Sequence, residues 1–344
     1  MQRPRVVAIG GGHGLARALR ALTLLDVEPT AVVTVADDGG SSGRLRRDMG
    51  IIAPGDLRMA LLALARNRPL AAALEHRFLR GQLEGHALGN LLLVALAEQH
   101  GGDFLAAVDG AAALLDCAGR VLPSTTQPVE LHAHVAGRVV GGQVQVAAAQ
   151  GRIERVWLEP RDPPACPDAS KAIAEADVVI LGPGSLYTSV VANLLVPEMA
   201  AALAAASART VYVGNLTSQP GETWGLDAEA HVAAVLDHVP GLVLDAVILH
   251  DGPRDSGPGE LLGTAVPSGR VRQVLSADLA LRDPGGGLGP GHDPQRLAAA
   301  LAGHLPGARV AGGGGPSAGG GGRSAGGRSA GGGRSAGGGG RSRS

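Results

Sequence analysis

Short apolar runs alternate with longer segments of helical periodicity along most of this chain. Runs rich in Val, Ile and Ala predict strands at residues 5–9, 30–35, 177–181, 210–213 and 246–250. Leucine and alanine at helical spacing predict several helices between residues 56 and 115, and further helices at 15–24, 186–206 (with a break at Pro197), 227–238 and 293–304. Strands that alternate with helices indicate βαβ units, so we expect an α/β fold built on a parallel sheet.

Two stretches depart from this rhythm. Between about residues 120 and 160, glycine separates short β-prone pieces, which predicts a small β-rich insertion with strands at 129–135, 139–146 and 153–158. From residue 312 the chain has no large apolar side chain, so it cannot bury enough surface to offset chain entropy. We therefore expect a single folded domain at residues 1–311 and a disordered Gly/Ser/Arg tail at residues 312–344.

Composition narrows the classes of function. The 344 residues carry a net charge of −1, and five arginines but no acid lie beyond residue 311, so the body has a charge of −6. An acidic body with only six aromatic residues is a poor binder of nucleic acid. No run of ~20 consecutive apolar residues, the length of a membrane span, occurs in the sequence. The two cysteines are far apart and lack metal-ligand spacing. We expect a cytoplasmic protein.

The first candidate site is the glycine-rich loop that follows the first predicted strand and opens a helix. A loop of this kind exposes backbone N–H groups and a helix N-terminus to an anion such as phosphate. It consists of Gly10, Gly11, Gly12, His13, Gly14 and Leu15. It is not a dinucleotide fingerprint, because Leu15 stands where the third glycine would be. The alternative is a glycine turn without a ligand.

The second candidate site follows the second predicted strand. Paired carboxylates, a Gly-Gly-Ser-Ser turn and three arginines crowd together here, at Asp37, Asp38, Gly39, Gly40, Ser41, Ser42, Arg44, Arg46 and Arg47. Asp-Gly turns and serine helix caps are ordinary alternatives, and Asp56 would serve equally as an N-cap after Pro54 and Gly55. Together these groups exceed what a turn requires, so we interpret them as a site for a phosphorylated ligand, with the carboxylates on a metal or on ribose hydroxyls.

Three further polar clusters accompany predicted element ends. Asn90 lies four residues after His86 at the start of a leucine-rich helix. The strand at 177–181 runs into Gly182, Pro183, Gly184 and Ser185, and the strand at 210–213 runs into Asn215, Thr217, Gln219 and Glu222. Open α/β sheets bind ligands in the crevice at the carboxyl ends of their strands, so this convergence predicts one ligand site.

The segments VADDGGSSGRLR, APGDLR, GHALGNLLL, LGPGSLYTSV and NLTSQPGET occur in this order. They resemble the successive motifs of the YvcK-like branch of the CofD superfamily, the gluconeogenesis factors. GHDPQRLAAAL resembles the closing helix of that branch, so the resemblance covers about residues 5–305. It implies a Rossmann-like, three-layer parallel sheet whose single domain binds a nucleotide sugar of the UDP-N-acetylglucosamine kind.

The resemblance also implies a regulator, without established catalysis, of cell shape, cell-wall precursor balance and growth on gluconeogenic carbon sources. Together with the residues above, it assigns ligand contacts to the first glycine loop, to Asp37 through Ser42, and to Arg44, Asn90, Gly182, Pro183, Gly184, Ser185, Tyr187, Asn215 and Thr217. The expected partners are the nucleotide-sugar ligand, proteins of cell-wall synthesis and a second copy of the chain in a homodimer.

The runner-up is a Mg²⁺-dependent transferase that moves a phospholactyl or phosphoenolpyruvate-type group onto a deazaflavin alcohol, as in the CofD branch. Asp37, Asp38 and Asp56 would then be the catalytic acids, with Asp38 and Asp56 as the expected ligands of Mg²⁺. An NAD-dependent oxidoreductase is disfavoured by the broken glycine fingerprint. Metal-binding acids serve a regulator and an enzyme alike, so the sequence leaves these two readings open.

Overall fold

The structure is a computed structural model that describes residues 2–252, 259–266, 269–283 and 288–306, with positions 288 and 290 described by backbone alone. The predicted disordered tail at residues 312–344 lies outside the described residues.

A seven-stranded parallel sheet forms the centre of the fold, with helices packed against it. In chain order the strands are β1 Arg5–Gly10, β2 Glu28–Val33, β3 Arg120–Pro123, β4 Glu130–Val135, β5 Arg138–Gly141, β6 Ile153–Glu159, β7 Val178–Leu181, β8 Arg209–Val213, β9 Ala246–His250, β10 Val274–Ala277, β11 Ala280–Arg282 and β12 Leu288–His292. The large sheet has the order β10-β9-β8-β7-β1-β2-β3, and all its neighbours pair in parallel.

The helices are α1 Gly12–Leu22, α2 Gly40–Met49, α3 Pro54–Leu64, α4 Arg68–Glu75, α5 Leu88–Gln99, α6 Phe104–Leu114, α7 Gln143–Ala148, α8 Pro167–Ala174, α9 Ala192–Leu194, α10 Pro197–Ala205, α11 Ala228–His238 and α12 Pro294–Ala302. A π-helical turn, Leu186–Val191, precedes α9. Strands such as β7 are buried along their whole length, because helices cover the sheet. The predicted α/β fold with a parallel sheet is confirmed.

The strand order places a topological switch point between β1 and β7. The chain builds outward from β1 through β2 to β3, then returns to the other side of β1 and builds outward again through β7, β8, β9 and β10. The connections that leave the carboxyl ends of β1 and β7 therefore diverge and open a crevice, which is the usual ligand position in such sheets.

The predicted β-rich insertion is present, but its composition differs from the prediction. A three-stranded antiparallel sheet has the order β5-β4-β6. β3, inside the predicted insertion, is instead the edge strand of the large sheet. The predicted strand at 139–146 is wrong in its second half, because β5 ends at Gly141 and the chain enters α7. Gly142 makes this change of direction with φ of +91°, a conformation that favours glycine.

Two predicted helix boundaries agree with the structure, and one predicted pair of helix caps does not. Asp293 is the N-cap of α12, since its Oδ1 accepts hydrogen bonds from the backbone N–H groups of Gln295 and Arg296. The predicted break at Pro197 is confirmed by a 77° bend. Ser41 and Ser42, candidate helix caps, lie inside α2 instead, and Gly39 is its N-cap.

No single helix in the described ranges is long and apolar enough to span a membrane. The bent pair Leu186–Leu194 and Pro197–Ala205 meets the requirement on length and composition alone.

Candidate functional site

The loops after β1 and β7 touch each other at the switch point. A Cβ atom on Gly14 would lie 2.6 Å from Gly184 Cα and would also collide with the carbonyl oxygen of Pro183, so only glycine fits at this position. Asn193 secures the contact from beneath, because its Nδ2 donates to the carbonyl oxygen of Gly10 at 3.0 Å and also to that of Ser189. The two predicted glycine loops therefore form one continuous floor.

A cavity of about 790 Å³ opens above this floor, and we call it the nucleotide cavity after the ligand that the sequence predicts. Its walls come from the loops after β1, β2, β7 and β8, from α1, α3 and α7, from the π-helical turn, and from β12. The lining residues are Gly11, Gly12, His13, Gly14, Arg17, Asp37, Asp56, Met59, Gln143, Pro183, Gly184, Ser185, Ser189, Asn215, Leu216, Thr217, Gln219, Gly289, Gly291 and His292.

Asp56 is the most perturbed acid in this cavity. Its side chain is almost fully buried in the first turn of α3, and it accepts a hydrogen bond from the backbone of Gly12. Burial, together with the nearby charge of Asp37, raises the pKa of Asp56 to about 7. The carboxyl group is therefore poised to exchange a proton near neutral pH, as general acids and bases do.

Glu222 holds the far wall of the cavity in place. It is buried, and its Oε1 accepts the backbone N–H groups of Tyr187 at 2.6 Å and Thr188 at 2.9 Å. Its Oε2 accepts the hydroxyl of Thr188 at 3.1 Å. These bonds satisfy the free donors at the start of the π-helical turn, so Glu222 works as a helix cap from a distant part of the chain. Burial raises the pKa of Glu222, and these hydrogen bonds oppose the rise.

Asn215 and Gln219 complete that wall. Asn215 Oδ1 accepts the backbone N–H of Gly184 at 3.3 Å, and Gln219 Nε2 donates to Ser185 Oγ at 3.2 Å. The loop after β8 is thereby tied to the loop after β7. Both amide side chains also line the cavity, where they offer donors and acceptors to a ligand.

A second cavity, of about 480 Å³, lies beside the first, and we call it the arginine cavity. Its lining residues are His13, Ala16, Arg17, Arg20, Asp37, Gly39, Gly40, Ser41, Ser42, Gly55, Arg58, Met59, Leu62, Glu75, Arg77 and Asn90. His13, Arg17, Asp37 and Met59 line both cavities. Asn90 donates through Nδ2 to Ser41 Oγ and accepts through Oδ1 from Arg58 Nε, both at 3.0 Å.

The predicted site residues separate into three groups. Those lining the nucleotide cavity are Gly11, Gly12, His13, Gly14, Asp37, Asp56, Pro183, Gly184, Ser185, Asn215 and Thr217. Those lining the arginine cavity are His13, Asp37, Gly39, Gly40, Ser41, Ser42 and Asn90. Those lining neither are Gly10, Leu15, Asp38, Arg44, Gly182 and Tyr187.

The residues in the third group have structural contacts instead. Asp38 Oδ1 accepts the backbone N–H of Val144 at 2.9 Å and so caps α7 in the insertion. Arg44 donates to the carbonyl oxygen of Glu84 at 2.7 Å. Leu15 is buried in the core. These contacts give Asp38, Arg44 and Leu15 structural roles that require no ligand.

The positions of Asp37, Asp38 and Asp56 decide which of them could hold the predicted Mg²⁺. No group of three or more His, Cys, Asp or Glu side chains in the described part of the chain is arranged to hold a metal ion. Mg²⁺ needs fewer protein ligands than this when substrate phosphates and water complete its shell. Asp37 and Asp56 both line the nucleotide cavity and suit that arrangement, whereas Asp38 does not line it.

Sequence reasoning missed four arginines, namely Arg17, Arg20, Arg58 and Arg77. His13, Arg17 and Arg20 follow one another at spacings of four and three residues on α1, which places them on one helical face. That periodicity was the available signal for the first two. Arg58 and Arg77 have no such local pattern, because α3 and the segment after α4 meet only in the folded chain.

Comparison with known proteins identifies the family of this chain. The family profile described as 2-phospho-L-lactate transferase CofD matches residues 6–260. A protein of Mycobacterium tuberculosis (strain ATCC 25618 / H37Rv) is 44% identical over 318 residues, which cover 87% of this chain and 89% of that protein. The gluconeogenesis factor of Bacillus subtilis (strain 168) is 44% identical over 252 residues, which cover 72% of this chain and 79% of that protein.

A solved structure gives the same result for the fold. The crystal structure of a UPF0052 family member from Bacillus halodurans superposes with a TM-score of 0.80 at 36% sequence identity, covering 88% of this chain and 99% of that one. The profile match, the relatives and the switch-point site together place the chain in the CofD family, among homologues named gluconeogenesis factors.

Proposed function

We propose that this protein binds a nucleotide sugar of the UDP-N-acetylglucosamine kind in the nucleotide cavity and acts as a regulator. The observation that carries the proposal is the joined floor of two glycine loops at the switch point, beneath a cavity of about 790 Å³. Glycine loops at a helix N-terminus suit a pyrophosphate, because backbone N–H groups face the ligand and no side chain obstructs it.

The remaining walls supply groups for the rest of such a ligand. Asp37 offers carboxylate acceptors to ribose or sugar hydroxyls, as acids at strand ends do in related folds. Asn215, Thr217 and Gln219 offer amide and hydroxyl groups to a base or an acetamido group. Arg17 adds a positive charge at the boundary between the two cavities.

The regulatory part of the proposal rests on the relatives. The Bacillus subtilis relative is named gluconeogenesis factor, a name that describes a role in growth rather than a reaction. We extend this to cell shape and cell-wall precursor balance during gluconeogenic growth, in the cytoplasm. The chain would act there as a homodimer that contacts proteins of cell-wall synthesis.

Isothermal titration with UDP-N-acetylglucosamine tests the binding. The adjacent variants Asp37→Asn and Asp38→Asn form a matched pair, since one side chain lines the nucleotide cavity and the other caps α7. We expect Asp37→Asn to weaken binding ~10-fold, the loss typical of a charged hydrogen bond. Asp38→Asn should leave the affinity unchanged. Absence of binding to the native protein at millimolar ligand would refute the proposal.

A Mg²⁺-dependent transferase is the second candidate, and the buried carboxyl of Asp56 beside Asp37 favours it. The CofD family profile has the name of such an enzyme. Asp37 and Asp56 would hold Mg²⁺, which supplies charge stabilisation to a transferring phosphoryl group. The test incubates protein, Mg²⁺, a deazaflavin alcohol and an activated phospholactate or phosphoenolpyruvate donor, whose activating group leaves as the bond to the alcohol forms, with mass spectrometry of the products. If the native protein forms product and Asp56→Asn does not, the protein is a transferase and the proposal of a regulator without catalysis is wrong.

A further inference from the structure

The arginine cavity concentrates positive charge that the protein does not neutralise. Arg17, Arg20, Arg58 and Arg77 line it, whereas Asp37 and Glu75 are its acidic lining residues. None of the four arginines forms an ion pair with a carboxylate anywhere in the described ranges of the chain. Four cations against two anions leave the cavity electropositive, although the body of the protein is acidic.

Arg58 is a buried residue on the wall of the arginine cavity. Only 9% of this residue is exposed, and its Nε donates to Asn90 Oδ1 at 3.0 Å. No acceptor within the part of the chain that the structure describes takes a hydrogen bond from its two Nη groups. Arg58 lines the cavity, and its Nη atoms are not sealed in the core, so they are available to donate to an anion there.

The arginines also oppose one another in pairs. Burial, and next the charge of Arg77, lowers the pKa of Arg58. Burial, and next the charge of Arg20, lowers the pKa of Arg17. Nearby carboxylates offset part of this repulsion, namely Glu75, Asp56 and Asp37 at Arg58 and Asp293 at Arg17, and a bound dianion would offset more of it.

We propose that the arginine cavity is a second ligand site, which binds a small phosphomonoester while the nucleotide cavity is occupied. Guanidinium groups bind phosphate oxygens in bidentate fashion, and Arg58 and Arg77 line the same cavity. A volume of about 480 Å³ admits a small metabolite. The shared residues His13, Arg17, Asp37 and Met59 place this ligand directly beside the nucleotide sugar.

Isothermal titration with inorganic phosphate and with glycerol 3-phosphate, at constant ionic strength, tests the site. Arg77→Gln and Arg80→Gln are matched variants, since both arginines are exposed and only the first lines the cavity. We expect Arg77→Gln to weaken both probes ~10-fold or more, the loss typical of charged hydrogen bonds. Arg80→Gln should bind like the native protein. Equal affinities in the two variants, or no binding to the native protein, would overturn the proposal.

A thermal melt separates an anion site from a structural role for these arginines. In phosphate-free buffer, Arg77→Gln should melt close to the native temperature, because the loss of the hydrogen bond from Arg77 Nη1 to the carbonyl oxygen of Gly85 is offset by removal of a repulsive partner of Arg58. The same variant should lose the rise in melting temperature that phosphate gives the native protein. A variant that melts lower without phosphate and still gains the full rise would show that Arg77 stabilises the fold and binds no anion.

The titration is then repeated with saturating UDP-N-acetylglucosamine. Phosphate binding that persists supports two separate sites, whereas phosphate binding that disappears means one ligand spans both cavities and refutes a second site. If UDP-N-acetylglucosamine itself does not bind, the nucleotide-sugar proposal fails. The comparison of Arg77→Gln with Arg80→Gln in inorganic phosphate still decides the present one.

Discussion

Replacing Asp56 with asparagine should make the protein more stable at alkaline pH. The carboxyl is buried, and its pKa is raised from 3.8 to about 7. The folded state therefore holds a proton that the unfolded state releases, and native stability falls as the pH rises from about 4 through about 7. Asparagine approximates the protonated form in shape and can still accept the hydrogen bond from the backbone of Gly12.

The loss of native stability at high pH can be calculated from the rise in the pKa of Asp56. Three pH units correspond to about 4 kcal/mol over the whole titration, at about 1.4 kcal/mol for each unit. Part of this is already lost at pH 5, because the unfolded-state carboxyl has ionised there. The remaining change between pH 5 and pH 8.5 is about 3 kcal/mol, which Asp56→Asn should remove.

Urea unfolding of the native protein and of Asp56→Asn at both pH values measures this difference. All other titrating groups are common to the two proteins, so subtracting the two pH dependences isolates Asp56. Asp109→Asn, on an exposed position of α6, is the control and should follow the native pH dependence. Parallel pH dependences in the native protein and Asp56→Asn would refute the raised pKa. So would an Asp56→Asn variant that is less stable than the native protein at pH 8.5.

Two further substitutions test the scaffold of the nucleotide cavity by urea unfolding. Glu222→Gln should lower the free energy of unfolding by about 2 kcal/mol, because a neutral amide oxygen is a weaker acceptor than a carboxylate for the backbone N–H groups of Tyr187 and Thr188. An unchanged value would show that this cap contributes little. Gly14→Ala should lower it by about 1–3 kcal/mol through overlap with Pro183, whereas Gly303→Ala, in open space, should be near neutral. Equal effects of the two alanines would contradict the close packing of the loops.

The chain pattern was sufficient to predict most of the sheet because its strands are apolar runs bounded by glycine or polar residues. β7 and β9 are buried along their length, which is why an uninterrupted apolar run marks each. β3 escaped prediction, since its short sequence Arg-Val-Leu-Pro gives little periodicity and its place at the edge of the large sheet depends on β2. α7 escaped prediction as well, because its valines suggest a strand and its cap, Asp38, lies far away in sequence.

The candidate site was predictable to the extent that it consists of strand ends. Glycine loops and acids after β1, β2, β7 and β8 meet at one edge, as parallel topology requires. The direction of each side chain was not available from the sequence. Asp37 and Asp38 are neighbours with the same chemistry, yet only Asp37 lines the cavities. Asp38 turns away from the cavities because its side chain caps α7, which lies far away in sequence. That contact exists only in the folded chain, so the sequence could not distinguish the two acids.

The nucleotide cavity draws its walls from nearly the whole length of the folded chain, from Gly11 to His292. His292 belongs to β12, where its Nε2 contacts the carbonyl oxygen of Gly214 at 3.1 Å and its own carbonyl oxygen accepts Arg17 Nη1 at 2.9 Å. A nascent chain that has emerged only as far as α11 already has its glycine loops but lacks this wall. A ligand at ~100 times its Kd would give the finished fold about 2.7 kcal/mol and give that partial chain much less. A ligand would therefore stabilise the fold fully only after β12 has joined it, so binding and completion of the fold would be coupled.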